Sequence, residues 1–400
     1  MHNISKGMTF HMMTESTNLK IGIIGIGNAG NQVAMAAAAK GHNVFAINTS
    51  TKDLDDRVLH QSIKSYYFGD GRGSGKNRDN AMELLKSKGK EGIQDLFTNE
   101  HFLNTVSAAD IVVTVFSTGG GTGSGIGPMI SKMIAKAYPS KVVIPYGILP
   151  KESESITAQV NTIACVDDIV ALNTPYMLSD LNYYGDMPQE KAFKAIGDYM
   201  VEVLNVLRGD YLKMTSNGMA DERDVLTVIA EPGYMTVHFV NNMSQSDIEK
   251  LSLQGHLIKQ IQNSPTVRIQ RDGLLQYMLL ISNVNDSIVD VMKSGEYSEL
   301  IDFVGEPKAT FANYAVDNSV AECQVISVMS GLTIPMDRFN SAKAKIKANK
   351  EKFEQRSAFT LGSDRKDFES ITKNNKTTNI VMSSGQQKAN ADLSFLDDII

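Results

Sequence analysis

A run of seven residues, Gly119-Gly120-Gly121-Thr122-Gly123-Ser124-Gly125, constrains this chain more than any other stretch. It follows the apolar, β-branched segment Ile111–Phe116 and precedes an amphipathic helical pattern from Ile126 to Ala137. Strand, glycine loop and helix in that order turn successive backbone N–H groups toward an anion, and the helix start adds its positive end. Side chains would obstruct so close an approach. Glycine costs backbone entropy at each position, so a plain connection explains the run poorly. A bound phosphate group is the expectation.

The surrounding pattern predicts a mostly parallel sheet covered by helices. Lys20–Ile24 reads as a buried strand ending at Gly25, Val33–Ala39 as a close-packed helix, and Asn43–Ile47 as the next strand. Further strands follow at Ile111–Phe116 and Lys141–Pro145, and Asp79–Lys86 is helical in pattern. Gln189–Leu207 is apolar at helical spacing through Ala192, Phe193, Ile196, Met200, Val203, Leu204 and Leu207. Beyond Asp224, strand-like runs at Val225–Ile229, Tyr234–Val240, Leu274–Ser282 and Gln324–Met329 alternate with helical patterns at Ser246–Gln262 and Asn285–Lys293. That is a second α/β domain. Helical spacing resumes from Asp337 to about Phe359 and carries Lys343, Lys345, Lys347, Lys350, Lys352 and Arg356; from about Gly362 the chain is polar. The expected division is an extension at 1–18, a nucleotide domain at 19–188, a central helix and connector at 189–216, a second domain at 217–336, a basic helix at 337–361 and a flexible tail at 362–400.

Composition removes several classes. The net charge of −6, from 39 basic and 45 acidic side chains, argues against a surface coated in positive charge for nucleic acid. Cys165 and Cys323 have no companions at metal-site spacing, which favours a reduced, cytoplasmic setting. No apolar run is long enough to suggest a membrane span.

Two other phosphate-loop readings compete. Gly25-Ile26-Gly27-Asn28-Ala29-Gly30 matches the dinucleotide fingerprint, with Asp53 placed as a ribose acid, so an NAD-dependent oxidoreductase is the alternative of another class. Against it, Asn48-Thr49 rather than an acid closes the second strand, and a dinucleotide fold has no need of the second loop at Gly119–Gly125. A P-loop NTPase fails on pattern: Gly75-Lys76 is followed by Asn77, and Asp70 stands where the first glycine belongs. The glycine-rich loop Gly69–Asn77 is also compatible with a mobile surface turn.

Gly-Gly-Gly-Thr-Gly-Ser-Gly is the tubulin/FtsZ signature, and other loops resemble that superfamily in order. Gly27-Asn28-Ala29-Gly30-Asn31-Gln32 is similar to its first nucleotide loop, Asn48-Thr49 to the residues after its second strand, and Gly71–Asn77 to the γ-phosphate loop of FtsZ. The resemblance runs from about Lys20 to Met336. It implies an α/β, tubulin/FtsZ-like fold: a Rossmann-like GTP-binding sheet, a long central helix and a second α/β domain. Within the superfamily the chain looks more like TubZ, the divergent plasmid and phage group, because its second-domain loop and tail depart from FtsZ.

The resemblance also implies a site for GTP or GDP, with Mg2+, across the carboxyl ends of the parallel strands. The phosphate cradle would be Gly27, Asn28, Ala29, Gly30 and Gln32 with Gly119, Gly120, Gly121, Thr122, Gly123 and Ser124. Gly73 and Gly75 would close over the γ-phosphate; Lys76 is either a phosphate ligand or a solvated surface lysine. Glu154 corresponds to a ribose-binding glutamate, with Glu152 the rival choice. The arginine that FtsZ carries slightly further on has no counterpart near Ala158. Asn173 resembles the base-reading asparagine, Phe193 the base-stacking phenylalanine and Asp198 the guanine-binding acid. Ordinary helix core is the competing reading of Phe193.

Asn217–Asp224 resembles the loop that each tubulin-like subunit inserts into its neighbour's nucleotide. Asp221 and Asp224, three apart, would share one face of an early helical turn as the catalytic acids, with helix capping their alternative role. Asn217 is two places early for the FtsZ pattern. The implied activity is GTP hydrolysis switched on by head-to-tail assembly. The implied partners are further copies of the chain and a DNA-bound adaptor reached through the C-terminal region. FtsZ-like cell division or a phage spindle is the alternative within the superfamily.

Overall fold

The computed structural model describes residues 19–55, 59–87, 89–212, 220–269, 274–286, 298–316, 318 and 323–358. The expected extension at 1–18, the tail at 362–400, Asn217 and most of the helical pattern at Asn285–Lys293 lie outside these residues.

A parallel sheet forms from β1 (Ile21–Ile26), β2 (Asn43–Asn48), β3 (Lys64–Tyr67), β4 (Ile111–Ser117), β5 (Val142–Leu149) and β6 (Pro175–Asp180). Its order is β3-β2-β1-β4-β5-β6. The connecting helices are α1 (Gly27–Ala39), α2 (Arg78–Ser87), α3 (Gly89–Thr98), α4 (Glu100–Ser107), α5 (Thr122–Ala137) and α6 (Ile156–Ala171). The central strands are buried on both faces, so β4 reads as a continuous apolar run rather than an alternation.

The central helix α7 (Gln189–Leu207) has the bounds expected from its periodicity. After it come α8 (Glu222–Ala230), β7 (Gly233–Asn241), α9 (Gln245–Lys250), α10 (Leu253–Gln262), β8 (Tyr277–Val284), α11 (Ser298–Val304), β9 (Ala309–Val316), β10 (Cys323–Leu332) and α12 (Met336–Ala358). β7 pairs with β6 through Pro175–Gly233 and Tyr176–Tyr234, so one ten-stranded sheet ending β6-β7-β10-β8-β9 runs through the whole fold. Pairing is parallel throughout except where β10 meets β7 and β8. Two apolar layers flank the sheet. One packs α1, α7 and α8 through Val33, Ile196, Met200 and Val228; the other packs α2 to α6 through Leu85, Phe102, Ile130 and Ile169.

Two expectations are corrected here. Val225–Ile229 is not a strand but part of α8, because Asp221 and Asp224 form a capping box at its start. Val225, Val228 and Ile229 then fall on one buried helical face despite their β-branched character. Ser246–Gln262 is not one helix but two: Ser244 caps α9 and Ser252 caps α10, so the chain turns between them.

Candidate functional site

Two helix starts meet at the carboxyl end of the parallel strands. α1 begins at Gly27 after Ile26, and α5 begins at Thr122 after Gly121; neither N-cap residue offers a capping side chain, and neither first turn carries an acid. By contrast α4, α6, α8, α9 and α10 are each capped by an Asn, Ser or Asp. An uncapped helix start leaves N–H groups without intrahelical partners, and two of them converging make a site for negative charge.

The cavity they face has a volume of about 720 Å³. Gly27, Asn28, Ala29 and Gln32 line it from α1; Gly119, Gly120, Gly121, Thr122 and Gly123 line it from the loop before α5. Gly73, Gly75 and Lys76 close another side, Glu154 a third, and Gln189, Glu190 and Phe193 of α7 a fourth. Phe193 is also 5% exposed, so it serves helix packing and cavity wall together.

The glycine-rich loop before α2 is anchored rather than free. Gly73 N donates to Thr49 O at 2.8 Å, and Asn80 Nδ2 donates to Ser74 O at 3.2 Å. Hydroxyls tie three loops at one point: Thr122 Oγ1 lies 2.7 Å from Thr49 Oγ1 and 3.3 Å from Ser74 Oγ. Asn161 Nδ2, from the buried face of α6, is shared among Lys76 O at 3.2 Å, Gly119 O at 3.2 Å and Gly120 O at 3.3 Å. Lys76 lies on the cavity wall with φ of +60°, an uncommon conformation for a side-chain-bearing residue. Gly121 is required by contact: a Cβ there would stand 2.2 Å from Ser74 Oγ.

Four residues expected in the site do not line it. Gly30 sits behind the cavity, where a Cβ would come 2.0 Å from Val115 O; its bareness lets α1 pack on β4. Ser124 is buried, and its hydroxyl donates back to the carbonyls of Gly120 and Gly121. Asn173 ends α6 with φ of +54° and precedes β6, which puts it at the amino end of the parallel sheet, opposite the cavity. Asp198 is five residues beyond Phe193, about 140° around the helix, and pairs at the surface with Lys194 at 3.0 Å.

Sequence reasoning missed Asn161, although a polar residue among the buried positions of α6 was a usable signal. It also passed over Asp53 except as a ribose acid; Asp53 lines the cavity and accepts from Asn48 Nδ2 at 3.2 Å. No group of three or more His, Cys, Asp or Glu capable of holding a metal occurs among the described residues.

Asp221 and Asp224 are remote from this cavity. Phe193 and Leu207 are fourteen positions apart on α7, a rise of roughly 21 Å. Glu222 Cγ approaches to 4.0 Å of where a Cβ on Gly209 would lie, just past the far end of that helix. The two acids therefore stand at the opposite end of α7 from the glycine loops.

Residues 20–174 match the GTPase domain of the tubulin/FtsZ family. Over that segment the protein is similar to tubulin/FtsZ-family GTPase domains, and its architecture is the tubulin/FtsZ fold. Over 378 residues it is 25% identical to the tubulin-like protein TubZ of Clostridium botulinum C phage, covering 93% of this chain and 95% of the relative. It is 22% identical over 318 residues to the tubulin-like protein CetZ of Pyrococcus abyssi, covering 78% of this chain and 85% of that one. Among solved structures, a GTPγS-form protofilament of Bacillus thuringiensis serovar israelensis TubZ superposes with a TM-score of 0.69 at 15% identity, over 87% of this chain and 96% of that one. Among the described residues no helix is long and apolar enough to cross a membrane.

Proposed function

We propose that the protein binds GTP in the cavity between α1 and α5, polymerises head to tail, and hydrolyses the nucleotide only where two copies meet. The observation that carries this reading is the split between the uncapped helix starts and the two acids at the far end of α7. A lone copy holds the phosphate cradle without Asp221 and Asp224. The next copy in a row supplies them, orienting a water in line with the γ-phosphate. The contact is head to tail and does not close on itself, so it propagates as an open filament. Solved relatives described as protofilaments and as a two-stranded filament support that mode of assembly.

Backbone N–H groups of the two glycine loops would take the α- and β-phosphates, and Gly73 and Gly75 the γ-phosphate. Glu154 would meet the ribose and Phe193 the base. Magnesium fits a wall that offers Asp53 and the hydroxyls of Ser50 and Thr122, because Mg2+ takes few protein carboxylates and keeps phosphate oxygens and water. The proposal extends to a cytoplasmic filament that moves plasmid or phage DNA through an adaptor docked on the C-terminal region; that a tubulin-like relative comes from a phage is in keeping with it.

The deciding experiment is phosphate release from GTP across a protein dilution series, with light scattering in parallel. Turnover per copy should rise steeply with concentration and track scattering. Turnover independent of concentration sinks assembly-coupled hydrolysis; retention of NAD with indifference to GTP restores the oxidoreductase reading. Deletion of residues 362–400 should abolish capture of the DNA-bound adaptor while leaving assembly intact.

A further inference from the structure

The loop from Pro150 to Ser155 is a partition. Pro150, Glu154 and Ser155 face the 720 Å³ cavity, while Glu152 faces a second cleft of about 620 Å³ on the other side. Side chains of α6 and α12 hold several of its carbonyls. Arg338 of α12 reaches in with only 8% of its side chain exposed; Nη2 donates to Pro150 O at 2.6 Å and Nε to Asp180 Oδ2 at 2.7 Å. Its remaining nitrogen, Nη1, faces Glu152 Oε1 at 3.6 Å. About two turns further along α12, Lys345 Nζ donates to the carbonyls of Glu152 and Glu154. Gln159 Nε2 of α6 donates to Lys151 O at 2.8 Å.

We propose that Arg338 and Lys345 are positioning residues for the nucleotide: from α12 they hold the Pro150–Ser155 loop in the conformation that presents Glu154 to the cavity. The inference rests on reading that cavity as the guanine-nucleotide site. The physical basis is that charge-assisted hydrogen bonds from a rigid helix fix an otherwise irregular segment. A planar guanidinium that binds a carboxylate and a carbonyl at once also sets the loop's distance from β6. Glu154 itself completes the turn, with Oε1 accepting from Lys151 N at 3.1 Å, so its side chain follows the backbone that Lys345 grips. Coupling of this kind is reciprocal: nucleotide in the cavity tightens α12 on the loop, and a ligand that displaces α12 weakens nucleotide binding by the same factor.

The test uses the full chain, with GTP titrated calorimetrically below the assembly concentration. Lys345→Met removes a partly exposed ammonium and is the variant chosen to fold; Arg338→Lys keeps the charge and loses the fork. Each should raise the Kd for GTP about tenfold while leaving kcat at saturating GTP within about twofold. Amide exchange across residues 150–155 should quicken in nucleotide-free Lys345→Met with its melting temperature unchanged, which a general loss of stability would not produce. In a Glu154→Gln background the Lys345→Met loss should shrink, because both changes act through one loop. Wild-type protein that binds no guanine nucleotide overturns the reading of the cavity. Wild-type binding with an unchanged Kd in folded Lys345→Met, or full additivity with Glu154→Gln, overturns this inference alone.

Discussion

Asp221 and Asp224 close one helix start from both sides: Asp224 Oδ2 accepts the Asp221 N–H at 2.9 Å, and Asp221 Oδ1 accepts the Asp224 N–H at 3.1 Å. One oxygen of each carboxylate is thus committed to the backbone of α8, and the other can point outward. Capping and service to a neighbour's nucleotide are compatible in the same side chains, so substitutions have to separate them. Asparagine caps as well as aspartate, whereas alanine forfeits about 1 kcal/mol. Asp221→Asn should melt with the wild type yet lose GTP turnover about a hundredfold at saturating protein concentration. Asp221→Ala should lose both. Filaments of either variant should form and then persist in GTP. Phosphate release and thermal melting on the same samples decide the matter; normal turnover in Asp221→Asn would confine the residue to capping.

Glycines in the loops differ in what they are needed for. A Cβ on Gly121 would meet Ser74 Oγ at 2.2 Å and the backbone of Lys76 and Asn77 at 2.9 Å, so two loops would have to separate. Gly121→Ala should weaken GTP binding by at least about tenfold and cost roughly 1–3 kcal/mol of stability. Gly75 has open space around its Cβ position and a φ of +64°. Gly75→Ala should therefore cost only the backbone strain, about 1 kcal/mol, with a smaller loss of affinity. Urea melts and GTP titration of the pair compare contact with conformation. Equal losses of affinity would mean that the approach of Ser74 to Gly121 does not matter for binding.

Strands β1, β2, β4 and β5 and the helix α7 were legible because their signals are local: β-branched runs, glycine loops after β1 and β4, and the apolar stripe of α7; β6 in the same half was not read. What failed depended on partners distant in sequence. Val225–Ile229 is rich in β-branched residues, and only the cap at Asp221 and Asp224 decides for helix. β3 carries little apolar signal because it edges the sheet, and Lys64–Tyr67 is largely exposed. Gly30 and Ser124 belong to the signature motifs, but motifs record packing as well as ligand contact. Arg338 lies 158 positions from Asp180, and no pattern in a helix of lysines announces which basic side chain turns inward.

The residues that the structure keeps away from the cavity supply a negative prediction. Asn173 holds a left-handed conformation at the end of α6, which glycine adopts more easily. Asn173→Gly should be neutral or stabilising by up to about 1 kcal/mol and leave GTP affinity unchanged. Asp198→Asn removes a surface ion pair with Lys194 worth at most about 1 kcal/mol and should likewise spare affinity. A tenfold loss of GTP binding in either variant would mean that the residue reaches the base.

Acid sensitivity should report on β7. His238 is buried there, 3.1 Å from Thr236 Oγ1 through Nε2. Burial disfavours its charged form and pushes its pKa down to about 3 from the ordinary 6.5. Between those values the unfolded chain takes up a proton that the folded chain refuses, so stability falls as pH falls. The contribution of neutral His238 is fully present above pH 6.5 and is withdrawn on the way down toward 3. At 1.36 kcal/mol per unit, the loss between pH 6.5 and 4.5 is at most about 3 kcal/mol. His238→Gln keeps an amide for Thr236 and does not titrate. Urea melts at pH 7.5, 5.5 and 4.5 should show the wild type losing about 3 kcal/mol more than this variant over the acid interval. Parallel losses in the two proteins would mean that His238 is protonated as readily folded as unfolded.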